Sequence, residues 1–192
     1  MPNKRSLVCV GFICWLACIS VASPATAQDI NAIGPLIASG NHAAALAEAQ
    51  KFEAAAKAQV GVNHPSYAYA LSALASVYLA QEKYDEAEGL FRRALVIREQ
   101  VQGDDHPDVA QALTHLSVVY TLQAKFGEAE VLLRRALAIQ QRALGDNDIT
   151  VATTLGFLAL TCLAQGKDQE GYALRDRAKS IMDNAVPGRQ RP

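Results

Sequence analysis

The chain has 192 residues with a formal net charge of −1, 51% hydrophobic residues and four cysteines. That charge balance gives no electrostatic reason to expect nucleic acid. Too few cysteines survive the export reading below for a disulfide framework or a Cys-based metal cluster.

At the amino terminus, Lys4 and Arg5 precede an apolar run from Leu7 to Ala22, and Ala25-Thr26-Ala27 supplies small residues before Gln28. This pattern predicts a signal peptide over 1–27, removed on export to the periplasm or outside the cell. The run is shorter than the ~20 residues that span a bilayer, so no stable membrane span is expected after cleavage. A lipoprotein site at Cys18 is the weaker alternative, because Trp15-Leu16-Ala17 is a poor match to the residues such a site prefers. Cleavage removes Lys4 and Arg5, leaving 16 basic and 19 acidic residues, and it removes Cys9, Cys14 and Cys18. Cys162 then stands alone and cannot form an intrachain disulfide.

Residues 28–62 read as a worn helix pair. Ile30 to Ser39 predicts a shortened first helix interrupted at Gly34-Pro35, and His42 to Val60 an alanine-rich second one. From His64 onward the pattern becomes explicit. His64 to Arg98 is rewritten as His106 to Gln140, with 19 of 35 positions identical. A third, weaker copy starts at Asp148. Self-similarity at a fixed period of 42 means stacked supersecondary units. The expected boundaries are 63–104, 105–146 and 147–186, with 187–192 a loose tail.

In the first strong copy, Tyr67, Leu71, Leu74, Val77 and Tyr78 fall at helical spacing. Pro65 suits a first turn, and His64 occupies the N-cap position. Gln81-Glu82-Lys83 predicts a turn. The next helix puts Tyr84, Ala87, Leu90, Phe91, Ala94, Leu95 and Ile97 inside, and Arg92, Arg93 and Arg98 mostly on its other face. The second copy repeats the plan from Pro107, turns at Gln123-Ala124-Lys125, and buries Phe126, Ala129, Leu132, Leu133, Ala136, Leu137 and Ile139. The third replaces His-Pro with Asp148-Ile149, still a good cap. It puts Cys162 where Tyr78 and Tyr120 stood. Arg175 and Lys179 replace leucines or phenylalanine on the face that would meet a following repeat, so the array is expected to end there.

A small residue followed by Tyr, then Ala with an aromatic, then a further Ala, resembles the tetratricopeptide repeat. The 42-residue period resembles its kinesin light chain type, with His-Pro before helix one, Gln-x-Lys-[Tyr/Phe]-x-Glu-Ala-Glu at the turn and Arg-Arg-Ala-Leu-x-Ile in helix two. The resemblance implies an all-α fold, an α-solenoid of seven or eight antiparallel helices making about three and a half repeats. It also implies a non-catalytic scaffold that binds another protein in a concave groove lined by the first helices. By matching position, that groove would present Tyr69, Ser72, Ala73, Ser76 and Ala80. The next copies would add Gln111, Thr114, His115, Val118 and Leu122, then Thr153, Gly156, Phe157, Leu160 and Ala164. Kinesin-light-chain-like repeats typically place Asn-Asn where this chain has Ser72-Ala73, Thr114-His115 and Gly156-Phe157. Losing those amides favours an apolar or helical segment over an extended backbone.

Catalysis finds little support. His64 and His106 are equivalent turn residues, and His42 and His115 have no adjacent second ligand. No His-Glu-x-x-His spacing and no glycine-rich phosphate loop occur. Neither cofactor nor metal is expected. Cys162 is the one candidate nucleophile, and its inter-helix position favours burial. Arg92, Arg93, Arg134, Arg135, Arg175 and Arg177 recur with the period beside Glu86, Glu88, Glu128 and Glu130, which predicts a salt-bridged face rather than a basic ridge. The rival to the scaffold is a homo-oligomer that buries its alanine-rich first repeat against a second chain.

Overall fold

The computed structural model describes residues 27–185, with side chains from Ala32. The signal-peptide and tail expectations therefore lie outside the described residues, apart from Ala27. Eight α-helices and no strand occur among these residues: α1 (Ala27–Ala38), α2 (His42–Val60), α3 (Pro65–Ala80), α4 (Tyr84–Gln102), α5 (Pro107–Leu122), α6 (Phe126–Leu144), α7 (Ile149–Ala164) and α8 (Asp168–Ala185). They pack as successive helix pairs, an α-solenoid arrangement. Two compact units are distinguished, one ending at Ala94 and the other beginning at Leu95, within α4.

The helix starts follow local chemistry. His64 Nδ1 accepts from the Ser66 amide at 3.1 Å and His106 Nδ1 from the Asp108 amide at 3.2 Å. Asp148 does the same for Thr150 at 2.7 Å. Each fills one of the orphan donors at a helix start. At α3 and α5 the proline that follows the cap has no amide to satisfy.

The stops are equally periodic. Gly40, Glu82, Ala124 and Gly166 close the first helix of each pair with φ of 75°, 60°, 61° and 78°. Left-handed backbone redirects the chain into the next helix. Glycine adopts it freely; Glu82 and Ala124 do so under strain.

In the first unit, Ile33 and Ile37 of α1 pack with Ala45, Ala49, Leu74 and Val77. The burial of those two isoleucines carries α1 straight through Gly34-Pro35, where an interruption was expected. Pro35 forgoes one amide donor, and the helix continues because the apolar residues on either side are held. Tyr67 is buried, donates to Glu53 at 2.6 Å and lies under the Arg93 guanidinium, 5.3 Å from its ring centroid.

In the second unit, α5 packs on α6, α6 on α7 and α7 on α8, with a smaller contact between α5 and α7. Val151, Ala152 and Leu155 meet Ala178 and Ile181, while Leu133 of α6 meets Leu158 and Cys162 of α7. Alanines at 129, 136, 152 and 159 are fully or almost fully buried, so the helices approach closely.

Arg98 departs from its expected outward face. It is 3% exposed, and its guanidinium donates to the Asp108 carbonyl at 2.7 Å and to Gln111 Oε1 at 3.1 Å. Its position seven residues after Phe91 returns it to the inward side of α4, where its donors meet the start of α5.

Candidate functional site

The proposed groove residues separate by burial. Ser72, Ser76, Thr114, His115 and Val118 are buried. Tyr69, Ala73, Ala80, Gln111, Leu122, Thr153, Gly156 and Phe157 are half-buried, while Leu160 and Ala164 are exposed. The more open first-helix positions are therefore Tyr69, Ala73, Gln111, Leu122, Thr153, Gly156, Phe157 and Leu160.

Chemistry explains part of the burial. The hydroxyl of Ser72 donates to the Ala68 carbonyl at 3.0 Å, that of Ser76 to Ser72 at 2.9 Å and that of Thr114 to Ala110 at 2.9 Å. Each hydroxyl satisfies itself on its own helix, which lets it sit inside a packed face. Thr153 likewise donates to the Ile149 carbonyl at 2.9 Å. His115 is held neutral: burial pushes its imidazole down to about 3, and the nearby Arg98 charge pushes the same way. In the first unit Tyr69 presents its ring edge-on to Phe52, with centroids 6.2 Å apart.

The second unit also holds a polar network that the periodic reading did not foresee. Glu130, almost buried, accepts from Lys167 at 2.7 Å, from Gln165 at 2.7 Å and from Arg134 at 2.7 Å. Arg134 reaches on to Glu170 at 2.6 Å, and Gln165 also donates to the Phe126 carbonyl at 3.2 Å. Gln81 makes the corresponding longer contact, 3.5 Å, to the His42 carbonyl in the first unit. The Lys167 and Arg134 hydrogen bonds hold the Glu130 carboxyl down at about 2. The available signal was the 42-residue recurrence of glutamine at the turn, seen at Gln81 and Gln165.

Glu130, Glu170 and the Cys162 thiol offer ligand atoms within 4.8 Å of one another. Their chemistry is that of an internal ion-pair network. Arg134 and Lys167 already engage both carboxylates, so a cation would have to displace them. Burial pushes the Cys162 thiol up, with Glu170 and Glu130 adding to the effect, so the reactive thiolate is disfavoured.

The arginine-bearing face is paired as expected, with a difference in partners. Arg92 meets Glu88 at 2.8 Å and Arg134 meets Glu130, but both glutamates are buried rather than solvated. Arg135 meets Glu99 at 2.6 Å, Arg142 meets Asp105 at 2.7 Å and Arg177 meets Asp146 at 3.0 Å. These bonds tie α6 and α8 to the end of α4 and to the loops that precede α5 and α7. No helix among the described residues is long and apolar enough to cross a membrane.

Residues 36–100 and 66–142 match the family model for the tetratricopeptide repeat, which spans more than half of the chain. Among crystal structures, BtubC (BKLC) from P. vanneervenii is similar with a TM-score of 0.72 at 23% identity, over 98% of this chain and 76% of that one. A putative kinesin light chain from Podosopora anserina with nearly identical TPR-like repeats has a TM-score of 0.66 at 20% identity, covering 96% of this chain and 86% of that one. A further crystal structure of such a Podosopora anserina protein gives 0.68 at 21% identity, covering 94% and 84%. At these identities the likeness establishes the fold. No curated protein matches the chain in sequence.

Proposed function

Because this chain belongs to the tetratricopeptide repeat family, whose arrays bind other proteins, we propose that it is a non-catalytic, exported scaffold that holds an apolar or helical segment of a partner protein. The observation that carries the reading is on the first helices of the second unit. Leu122 of α5 and Thr153, Gly156 and Phe157 of α7 remain half-open, and Leu160 is exposed. A surface of small and apolar residues gives its affinity mainly through buried area. The closed Cys162 thiol supports the non-catalytic part. The amino-terminal pattern of Lys4, Arg5 and the apolar run supports export.

The test is affinity capture from a cell-envelope extract with the full chain and with a Leu122→Glu/Thr153→Arg variant whose fold is checked by circular dichroism. Partners held by the parent and lost by the folded variant support binding through the first helices. Identical partners on both would place binding elsewhere. The intact mass of the protein recovered from producing cells tests export: an unprocessed amino terminus in every fraction overturns cleavage after residue 27.

A further inference from the structure

The face by which one helix pair receives the next is occupied in the 105–146 copy, and its contacts show what such a face accepts. Leu133 and Leu137 of α6 pack on α7, and Glu130 grips Lys167 and Gln165. Acid on α6 thus takes a base from the following pair, around an apolar centre.

One period later the same face is exposed among the described residues, and its chemistry is inverted. Val118 is 4% exposed, whereas Leu160 at the equivalent position is 53% exposed. Tyr172 is 49% exposed where Glu130 is 8%, and Met182 is 39% exposed where Gln140 is 3%. Arg175 and Lys179, both exposed, stand where Leu133 and Leu137 were. Arg175 lies along the Tyr172 ring, 4.9 Å from its centroid, and its guanidinium also meets Asp176 at 3.0 Å. Gly156 has open space around the position of a Cβ, so a backbone can come close there. Solvation alone would account for Arg175 and Lys179. It does not account for leucine, tyrosine and methionine left exposed at positions that are buried one repeat earlier.

We propose that this end of the second unit, formed by α7 and α8, docks one helix of a partner protein, an amphipathic helix whose apolar stripe is flanked by carboxylates. The apolar stripe covers Leu160, Tyr172 and Met182, with close approach at Gly156. The carboxylates meet Arg175 and Lys179, the exposed cations that stand in the register of Leu133 and Leu137. The proposal rests on the scaffold reading above and specifies where and what the scaffold binds.

The probes are two synthetic helical peptides of about 20 residues, long enough to hold helix in isolation. Both carry leucines at i, i+3, i+4 and i+7; one has glutamates beside the stripe and the other lysines. Titrating each against the full chain by fluorescence anisotropy should show the glutamate peptide binding about tenfold more tightly. Arg175→Glu/Lys179→Glu should reverse that preference, and Leu160→Asp should weaken both peptides. Each altered side chain is exposed, and circular dichroism confirms that the variants stay folded. No binding of either peptide, equal binding of the two, or affinity unchanged by Leu160→Asp overturns the proposal. Partners captured equally by parent and Leu160→Asp, yet lost from Leu122→Glu/Thr153→Arg, would sink this face while leaving the scaffold reading standing.

Discussion

The Lys167 ammonium donates to the Glu130 carboxylate at 2.7 Å, joining the turn between α7 and α8 to the helix pair before it. The two residues are 37 apart in sequence. Gln165 and Arg134 complete the carboxylate's shell, so Glu130 couples the packing of α6 to that of its neighbours. Removing its charge costs Lys167 its carboxylate, while Arg134 keeps Glu170 and Gln165 keeps the Phe126 carbonyl.

Glu130→Gln should therefore cost about 2 kcal/mol of unfolding free energy at pH 7. The folded carboxyl lies at about 2, against 4.5 for the free group. A depressed carboxyl contributes its full stability above 4.5 and loses it as pH falls through 2. Urea titrations at a series of pH values test this. The gap between parent and variant should close towards pH 2, and a gap that stays constant would refute the assignment.

A separate window belongs to His115. Its folded value of about 3 lies below the ordinary 6.5, so between these values the unfolded chain takes up a proton that the folded chain refuses. Stability is then full above pH 6.5 and falls as the solution is acidified, with a slope of up to about 1.4 kcal/mol per pH unit. The third copy carries Phe157 at the equivalent position, which makes His115→Phe the natural comparison. Its denaturation midpoint should change less between pH 6.5 and 4.5 than the parent's. Parallel curves would remove His115 from the account.

Backbone conformation yields a third prediction. Ala124 sits at φ 61°, where Gly166 one period later sits at 78°. Ala124→Gly should raise stability by up to about 1 kcal/mol, and Gly166→Ala should lower it by a similar amount. A Cβ at Gly166 meets nothing within 4 Å, so the loss there is conformational rather than steric. Thermal denaturation of both variants decides the matter, since opposite signs are required.

Gly171 tests packing instead. A Cβ there would lie 2.6 Å from Leu163 Cγ and 3.1 Å from the Ala159 carbonyl oxygen. Gly171→Ala should destabilise the chain by about 1–3 kcal/mol despite alanine's better helix propensity. A Leu163→Ala background should recover much of the loss, because the side chain in the way has been shortened. Failure to recover would point to the Ala159 carbonyl as the obstacle.

The sequence by itself determined the helices, their pairing and most of their caps. A 42-residue repeat writes the same local instructions several times, and His64, His106 and Asp148 act on amides two residues away. Such contacts depend on the neighbouring chain, so they are legible without the fold. At Pro35 the local signal misled, because the isoleucines on either side are held by other helices. Tertiary packing also decided which first-helix positions are open. Val118 and Leu160 occupy the same register, yet one is buried and the other exposed. Helical periodicity gives both residues the same direction, and exposure depends on whether another element stands against that side. The burial of Arg98 and the gathering of Glu130, Lys167 and Gln165 follow the same rule, since their partners come from adjoining helices or turns and are selected by distance in space.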